Sequence, residues 1–371
     1  MNWKTIPRKL FNILGIETPG EAWDIIWRQK ILRKPYWWSN FPLVFNIDTC
    51  NYCGPKYSGV LCQYCFPQNQ IVCGKMQHQE MPMDQIEWIL QNINKYGSEM
   101  REAAKKHMGY GSWDPFLNGD PLANPRLPEI MRLGKKLAPG IDVEVYTCGS
   151  LTDNAWMLCS RDVDLLHVTL SAHNPEIYRK VHRGDQFGNV LRTLKYITEN
   201  RKSNQKLYIN YIMTETNIPY MHEWYKLIGD QFPDWQRIFS PLIISPDNVY
   251  AKAALGKLSL QDQENAIRDI NPDAGMWYAE STSLRQPCAL WANASVLADG
   301  TLVKCCNWYD PEKHNYGNIK DYMKNGYDLH DFWMMRIANK HNNAVCESCT
   351  LRRADAKERL DKMKVKITVV T

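Results

Sequence analysis

The sequence predicts an α/β protein: a partial (β/α)6 barrel of the TIM type over residues 43–244, followed by a small C-terminal α+β domain at 288–350. Three observations lead there. Strand-like and helix-like runs alternate six times, and repeated strand-to-helix crossovers imply a parallel sheet. The chain has 371 residues, 44% hydrophobic and 23% charged, long for a single domain and able to bury a sizeable core. Four of its twelve cysteines stand in one loop directly after the first strand-like run, where a barrel of this kind keeps its chemistry.

Residues 1–42 form a basic, tryptophan-rich segment in which Lys4, Arg8, Lys9, Arg28, Lys30, Arg33 and Lys34 interleave with Trp3, Trp23, Trp27, Trp37 and Trp38. Pro19 opens a helix to about Leu32, with Ala22, Ile25, Ile26 and Leu32 at roughly helical spacing. Either this helix packs on the main domain, or its aromatic and cationic side chains grip a partner. Strands are then expected at 43–47, ending at 116–117, and at 143–147, 165–170, 207–213 and 238–244. Helices are expected at 84–106, 127–137, 153–159, 175–181, 190–200 and 220–231. Residues 245–287 read as a linker with a helix at 260–270, and 351–371 as a basic tail.

No apolar run reaches membrane-spanning length and the N-terminus lacks a signal-peptide core, so a soluble, cytoplasmic protein without a membrane partner is expected. Twelve cysteines in a reducing compartment need a reason other than disulfides, and metal ligation supplies one. A net charge of +5 does not by itself argue for nucleic-acid binding.

In the loop, Cys50 and Cys53 form one C-x2-C pair and Cys62 and Cys65 another. Thiolates so spaced can turn toward one centre, and zinc and iron–sulfur both fit, the spacing alone leaning to zinc. Position leans the other way. A zinc knuckle gains nothing from the mouth of a barrel, whereas a catalytic cluster does.

The loops after the later strands carry Asn118-Gly119-Asp120-Pro121, Tyr146-Thr147-Cys148-Gly149 and Thr169-Leu170-Ser171-Ala172-His173. With the cysteine loop they resemble radical S-adenosylmethionine (SAM) enzymes, over residues 43 to about 244. The resemblance implies a 4Fe–4S cluster on three cysteines, SAM on the fourth iron, and a 5′-deoxyadenosyl radical that removes a substrate hydrogen. By motif, Cys62 and Cys65, with Tyr64 between, match the last two ligands. Cys50-Asn51 matches the first, with residues 54–61 as part of an insertion; Cys53 is the alternative. Asn118, Gly119 and Asp120 stand where Gly-Gly-Glu is common, Asp120 facing the methionine ammonium. Ser171 matches a ribose contact and Asn217 a turn near the adenine, although both also suit the capping of strand or helix ends. Cys148, Cys73 and Cys159 read as packing residues.

Asp299-Gly300 between two strand-like runs signals a hairpin that brings Cys288 and Cys305 together, and Cys346-x2-Cys349 adds two thiols. Four thiolates make a closed site for zinc or iron–sulfur. The segment resembles the SPASM extension in its shortened, twitch form, which implies an auxiliary 4Fe–4S cluster on Cys288, Cys305, Cys346 and Cys349, with Cys306 as spare or exchangeable with Cys305. Gly317-Asn318 and Trp333 match residues common in that extension. Enzymes so extended mostly modify peptides, so oxidation or crosslinking of a peptide or protein side chain is expected, with an electron donor such as flavodoxin or ferredoxin. The runner-up is a small-molecule radical dehydrogenase. The reading from another class is a zinc-binding nucleic-acid module.

Overall fold

The computed structural model describes residues 41–42, 44–53, 62–65, 77–107, 111–202, 204–240, 242, 249–270, 293–303 and 315–338. Six strands, β1 (Val44–Ile47), β2 (Ser112–Asp114), β3 (Asp142–Thr147), β4 (Leu165–Thr169), β5 (Lys206–Ile212) and β6 (Gln236–Ser240), lie side by side in chain order, all parallel. Consecutive parallel order with helical crossovers is the wall of a barrel. The second edge of β1 is taken by β7 (Asn293–Val296), also parallel, with Val44 opposite Asn293. From there β8 (Thr301–Val303) and β9 (Asn315–Asn318) continue the same sheet antiparallel. The hairpin expected at Asp299-Gly300 is present, and it continues the sheet of the partial barrel. Gly300 turns it with φ +87°, in the left-handed region that glycine tolerates, while its N–H donates to Leu297 O at 2.8 Å.

The helices follow the apolar period. In α1 (Met83–Lys95), Ile86, Ile89, Leu90 and Ile93 are buried on one stripe, with Asp84 in the first turn and Lys95 in the last, each suited to the helix dipole. The expected single helix at 84–106 is two, because Tyr96 leaves helical geometry before Gly97 opens α2 (Gly97–His107). Tyr96 stacks on Phe41 at 5.0 Å and donates to Asp328 at 2.6 Å, contacts that hold it out of the helix. Next come α3 (Leu127–Leu137), α4 (Pro175–His182), α5 (Phe187–Asn200) and α6 (Met221–Gln231). Residues Thr152–Cys159 form a 3-10 run rather than the expected α-helix, pinned by Thr152 to Asn189 O at 3.0 Å and by Asn154 to Leu122 O at 2.8 Å. Strand β6 begins two residues earlier than expected and ends at Ser240. After it come α7 (Val249–Leu255), α8 (Leu260–Ile270), α9 (Ile319–Asn325) and α10 (Leu329–Ala338).

Side chains alternate across the strands. Trp113, Val143, Val145, Leu166, Val168, Ile209 and Tyr211 belong to the hydrophobic core, Tyr211 meeting Trp224 of α6 at 4.7 Å. The opposite, inward face is polar: Asn46, Ser112, Asp114, Glu144, Tyr146, His167, Tyr208 and Asn210. Among the described residues no helix is long and apolar enough to cross a membrane. The tryptophan-rich segment before residue 41, Cys73, and the cysteines expected at the hairpin, Cys288, Cys305, Cys306, Cys346 and Cys349, lie outside the described residues.

Candidate functional site

The chain leaves β1 at the C-terminal mouth of the sheet and is stitched at once to the loop after β2. The buried Asp48 carboxylate accepts the backbone N–H and the side-chain amide of Asn118, both at 3.0 Å. Thr49 donates to Pro115 O at 2.7 Å, Asn124 donates back to Thr49 O at 3.1 Å, and Asp120 N–H donates to Tyr52 O at 3.0 Å. Burial pushes the Asp48 carboxyl up to about 7 despite those donors. Gly119 lies so close that a Cβ there would stand 2.3 Å from Cys50 O and 2.5 Å from Tyr52 N. The glycine is a steric requirement of two backbones in contact. Asn51 ties the loop's return: its amide donates to Gln77 O at 2.8 Å and its oxygen accepts from Gln79 N at 2.9 Å.

Cysteines 50, 53, 62, 65 and 148 are all free thiols. Cys65 N–H donates to Cys62 O at 2.9 Å, and Gln63 N–H donates to Val181 O at 2.9 Å, seating the C-x2-C turn on the end of α4. The Cys62 sulfur is 3.1 Å from His182 Nδ1. Cys50 is 2% exposed and its sulfur lies 3.4 Å from Asp120 O. The two candidates for the first ligand have different surroundings. Burial, then Cys148, Asp120, Cys65 and Cys62, push the Cys53 thiol up, whereas Cys50 is raised by burial, Asp48, Asp120 and Glu80. Cys62 is pushed up to about 12 by burial and by Cys65. Thiols so buried resist ionisation without a cation, and iron held there would supply the missing positive charge. In chemical type this donor set fits an iron–sulfur cluster. Among the described residues no three His, Cys, Asp or Glu side chains are grouped to hold a single metal ion.

The remaining expected residues meet at this mouth, though mostly as braces. Asp120 Oδ1 accepts from Leu122 N at 2.9 Å and Thr147 Oγ1 at 2.8 Å, and Oδ2 accepts from Cys148 N at 2.8 Å and Cys148 Sγ at 2.7 Å. Its carboxylate thus locks the β2 and β3 loops together. Ser171 Oγ accepts from Ile212 N at 3.0 Å. Asn217 donates to Ser171 O and Ile212 O, both at 2.9 Å, and accepts from Thr214 N at 2.7 Å, joining the ends of β4 and β5. Cys148, read from sequence as packing, is bonded to Asp120 and lies 3.2 Å from Ser150 Oγ. Sequence reasoning missed Asp48 and His182 as parts of the site. Asp48 stands just before the cysteines, but His182 has no local signal.

Below the mouth the inward polar row is connected. Asn46 donates to Asp114 at 2.6 Å, Ser112 and Tyr146 donate to Glu144 at 2.8 Å, and His167 Nε2 is 3.0 Å from Glu144. His167 stacks between Tyr146 at 4.1 Å and Tyr208 at 4.5 Å. Burial, then the Glu144 charge, push Asp114 well up. Burial opposes ionisation of Glu144 too, but His167, Ser112 and Tyr146 together hold it below its usual range.

Residues 48–228 match the family model described as the radical SAM superfamily. No curated protein matches the sequence. Among solved structures the chain is similar to Streptococcus suis SuiB bound to S-adenosylmethionine, at 16% identity and TM-score 0.58, covering 93% of this chain and 81% of that one. SuiB bound to its precursor peptide SuiA gives 15% identity and TM-score 0.58, with 91% and 76% covered. The protein anSMEcpe with bound AdoMet gives 16% identity and TM-score 0.51, with 82% of each chain covered.

Proposed function

This chain belongs to the radical SAM superfamily through residues 48–228, and on that premise we propose that it oxidises or crosslinks a peptide or protein side chain, starting from removal of a hydrogen atom. The observation that carries the enzyme class is the free-thiol loop after β1, braced against the loop after β2 at the mouth of a parallel sheet. When bound, the 4Fe–4S cluster supplies the electron that breaks a carbon–sulfur bond of SAM. Cys62 and Cys65 are two of its ligands. For the third, the motif assigns Cys50, whose sulfur lies 3.4 Å from Asp120 O where the two loops meet, and Cys53 is the alternative.

Around SAM, Asn118, Asp120, Ser171 and Asn217 serve chiefly to hold the loops in place, since their side-chain bonds run to protein, and Gly119 allows the two loop backbones to meet. An auxiliary cluster on Cys288, Cys305, Cys346 and Cys349 belongs to the same reading, because an electron acceptor there favours net oxidation. The reductant would be a flavodoxin- or ferredoxin-type protein. The family match removes the support for a zinc nucleic-acid module.

The peptide reading is supported by the fold shared with SuiB, one of whose structures holds a precursor peptide. A small polar substrate, the second reading, is favoured by the inward row of Asp114, Glu144 and His167. An isotope experiment separates the two. Extract from cells grown on deuterated carbon sources is split into a macromolecular fraction and a small-molecule filtrate, and each is given to the reduced enzyme with SAM. Deuterated 5′-deoxyadenosine from the macromolecular fraction is the expected result; label from the filtrate alone would transfer the assignment to a small molecule.

A further inference from the structure

The buried histidine at the end of α4 touches one cluster cysteine and has no part in the scheme above. Helix α4 is started by Asn174, whose side chain accepts from Ile177 N at 2.9 Å, and is ended by Arg183 at φ +52°. Its last residue, His182, is fully buried. The ring stacks on Tyr178 one turn earlier at 4.4 Å and meets the edge of Tyr64, within the Cys62–Cys65 turn, at 6.3 Å. The adjacent Val181 carbonyl accepts Gln63 N–H, so helix and turn are fixed by backbone as well as side chain.

Proton inventory makes this contact specific. Nδ1 is 3.1 Å from Cys62 Sγ, while Nε2 is buried without a hydrogen-bond partner. An apolar ring would fill the space without an unsatisfied nitrogen, so packing alone does not account for an imidazole. If Cys62 is an iron ligand, its sulfur carries no proton, and the contact is attractive only when Nδ1 carries the hydrogen. Nε2 is then the bare acceptor. An N–H aimed at a ligating sulfur stabilises the more negative, reduced cluster over the oxidised one.

We infer that His182 is a positioning residue that donates Nδ1–H to the Cys62 thiolate and raises the reduction potential of the SAM-binding cluster. The inference rests on Cys62 being a cluster ligand, as proposed above. Its test is redox titration by EPR of the full-length, anaerobically reconstituted protein, comparing wild type with His182→Phe and His182→Asn at matched iron content. Asparagine places an amide N–H near the position of Nδ1; phenylalanine keeps the stacking and removes the donor. The expected result is a more negative midpoint in His182→Phe, by roughly tenfold in the reduced-to-oxidised ratio, or about 59 mV for one electron, with His182→Asn close to wild type. Should His182→Phe fail to fold, pulsed EPR on reduced wild type carrying 15N-histidine is expected to show a nitrogen coupling that His182→Asn lacks. Full iron loading with unchanged midpoints, or no histidine coupling, overturns the inference and leaves the ligand assignment standing. Failure of wild type to bind iron overturns both.

Discussion

Gly119 is where the two loops of the site touch, and it offers a direct test at the scale of one residue. A methyl group there would have to displace the Cys50 carbonyl and the Tyr52 amide, both backbone atoms unable to rotate away. Gly119→Ala is therefore expected to lower stability by about 1–3 kcal/mol and to reduce iron uptake, measured by denaturant unfolding and iron analysis; an alanine variant equal to wild type in both would mean that the loops are not so closely packed. At this scale the sequence was partly legible. The cysteines and the Asn118-Gly119-Asp120 turn announce themselves by type and spacing. Their partners do not, since Asp120 is held by Thr147 and Cys148 and Cys62 meets a histidine 120 positions away, contacts that only the packing of loops creates. Between Cys50 and Cys53 the spacing leaves both open, and the motif Cys50-Asn51 supplies the preference.

Among the elements, the start of α10 is tied to the end of α1 through Asp328. Its Oδ1 accepts from His330 N at 2.9 Å and Asp331 N at 3.1 Å, and its Oδ2 accepts from Lys95 and Tyr96 of the α1 end, each at 2.6 Å. Burial opposes the charge, but the Lys95 and Tyr96 hydrogen bonds outweigh it and hold the carboxyl down to about 2. A depressed folded value means that the stabilisation is present above the ordinary value of 3.8 and is lost as pH falls through about 2. Asp328→Ala should thus cost about 1 kcal/mol near neutrality, as for a lost helix cap, and the difference from wild type should narrow below pH 3.8. Urea titrations at both pH values check this; a deficit that does not narrow would show that the carboxylate charge is not what acts. Element positions were legible where apolar period and breakers agreed, as at 127–137 and 260–270, both found with those bounds. They were blurred at Tyr96, whose contacts to Phe41 and Asp328 lie far along the chain and override a continuous helical pattern.

At the scale of the fold, one nine-stranded sheet among the described residues joins the barrel wall to the hairpin. The six strand-to-helix alternations made its parallel part legible, and Asp299-Gly300 marked the turn. The seat of β7 on β1 was not legible, because a parallel pairing such as that placing Ser295 Oγ 3.3 Å from Asn46 Oδ1 spans 249 positions and leaves no local trace. That seat puts the hairpin beside the strand from which the cysteine loop departs. The cysteine loop is proposed to hold a SAM-cleaving cluster. The most direct test is 5′-deoxyadenosine formation by anaerobically reconstituted protein given dithionite and SAM, with iron, sulfide and zinc measured on the same samples. Wild type and Cys53→Ala are predicted to bind iron and form the nucleoside, and Cys50→Ala, Cys62→Ala and Cys65→Ala to form none; a wild-type protein that binds zinc in place of iron and forms no 5′-deoxyadenosine would show that the loop holds no such cluster.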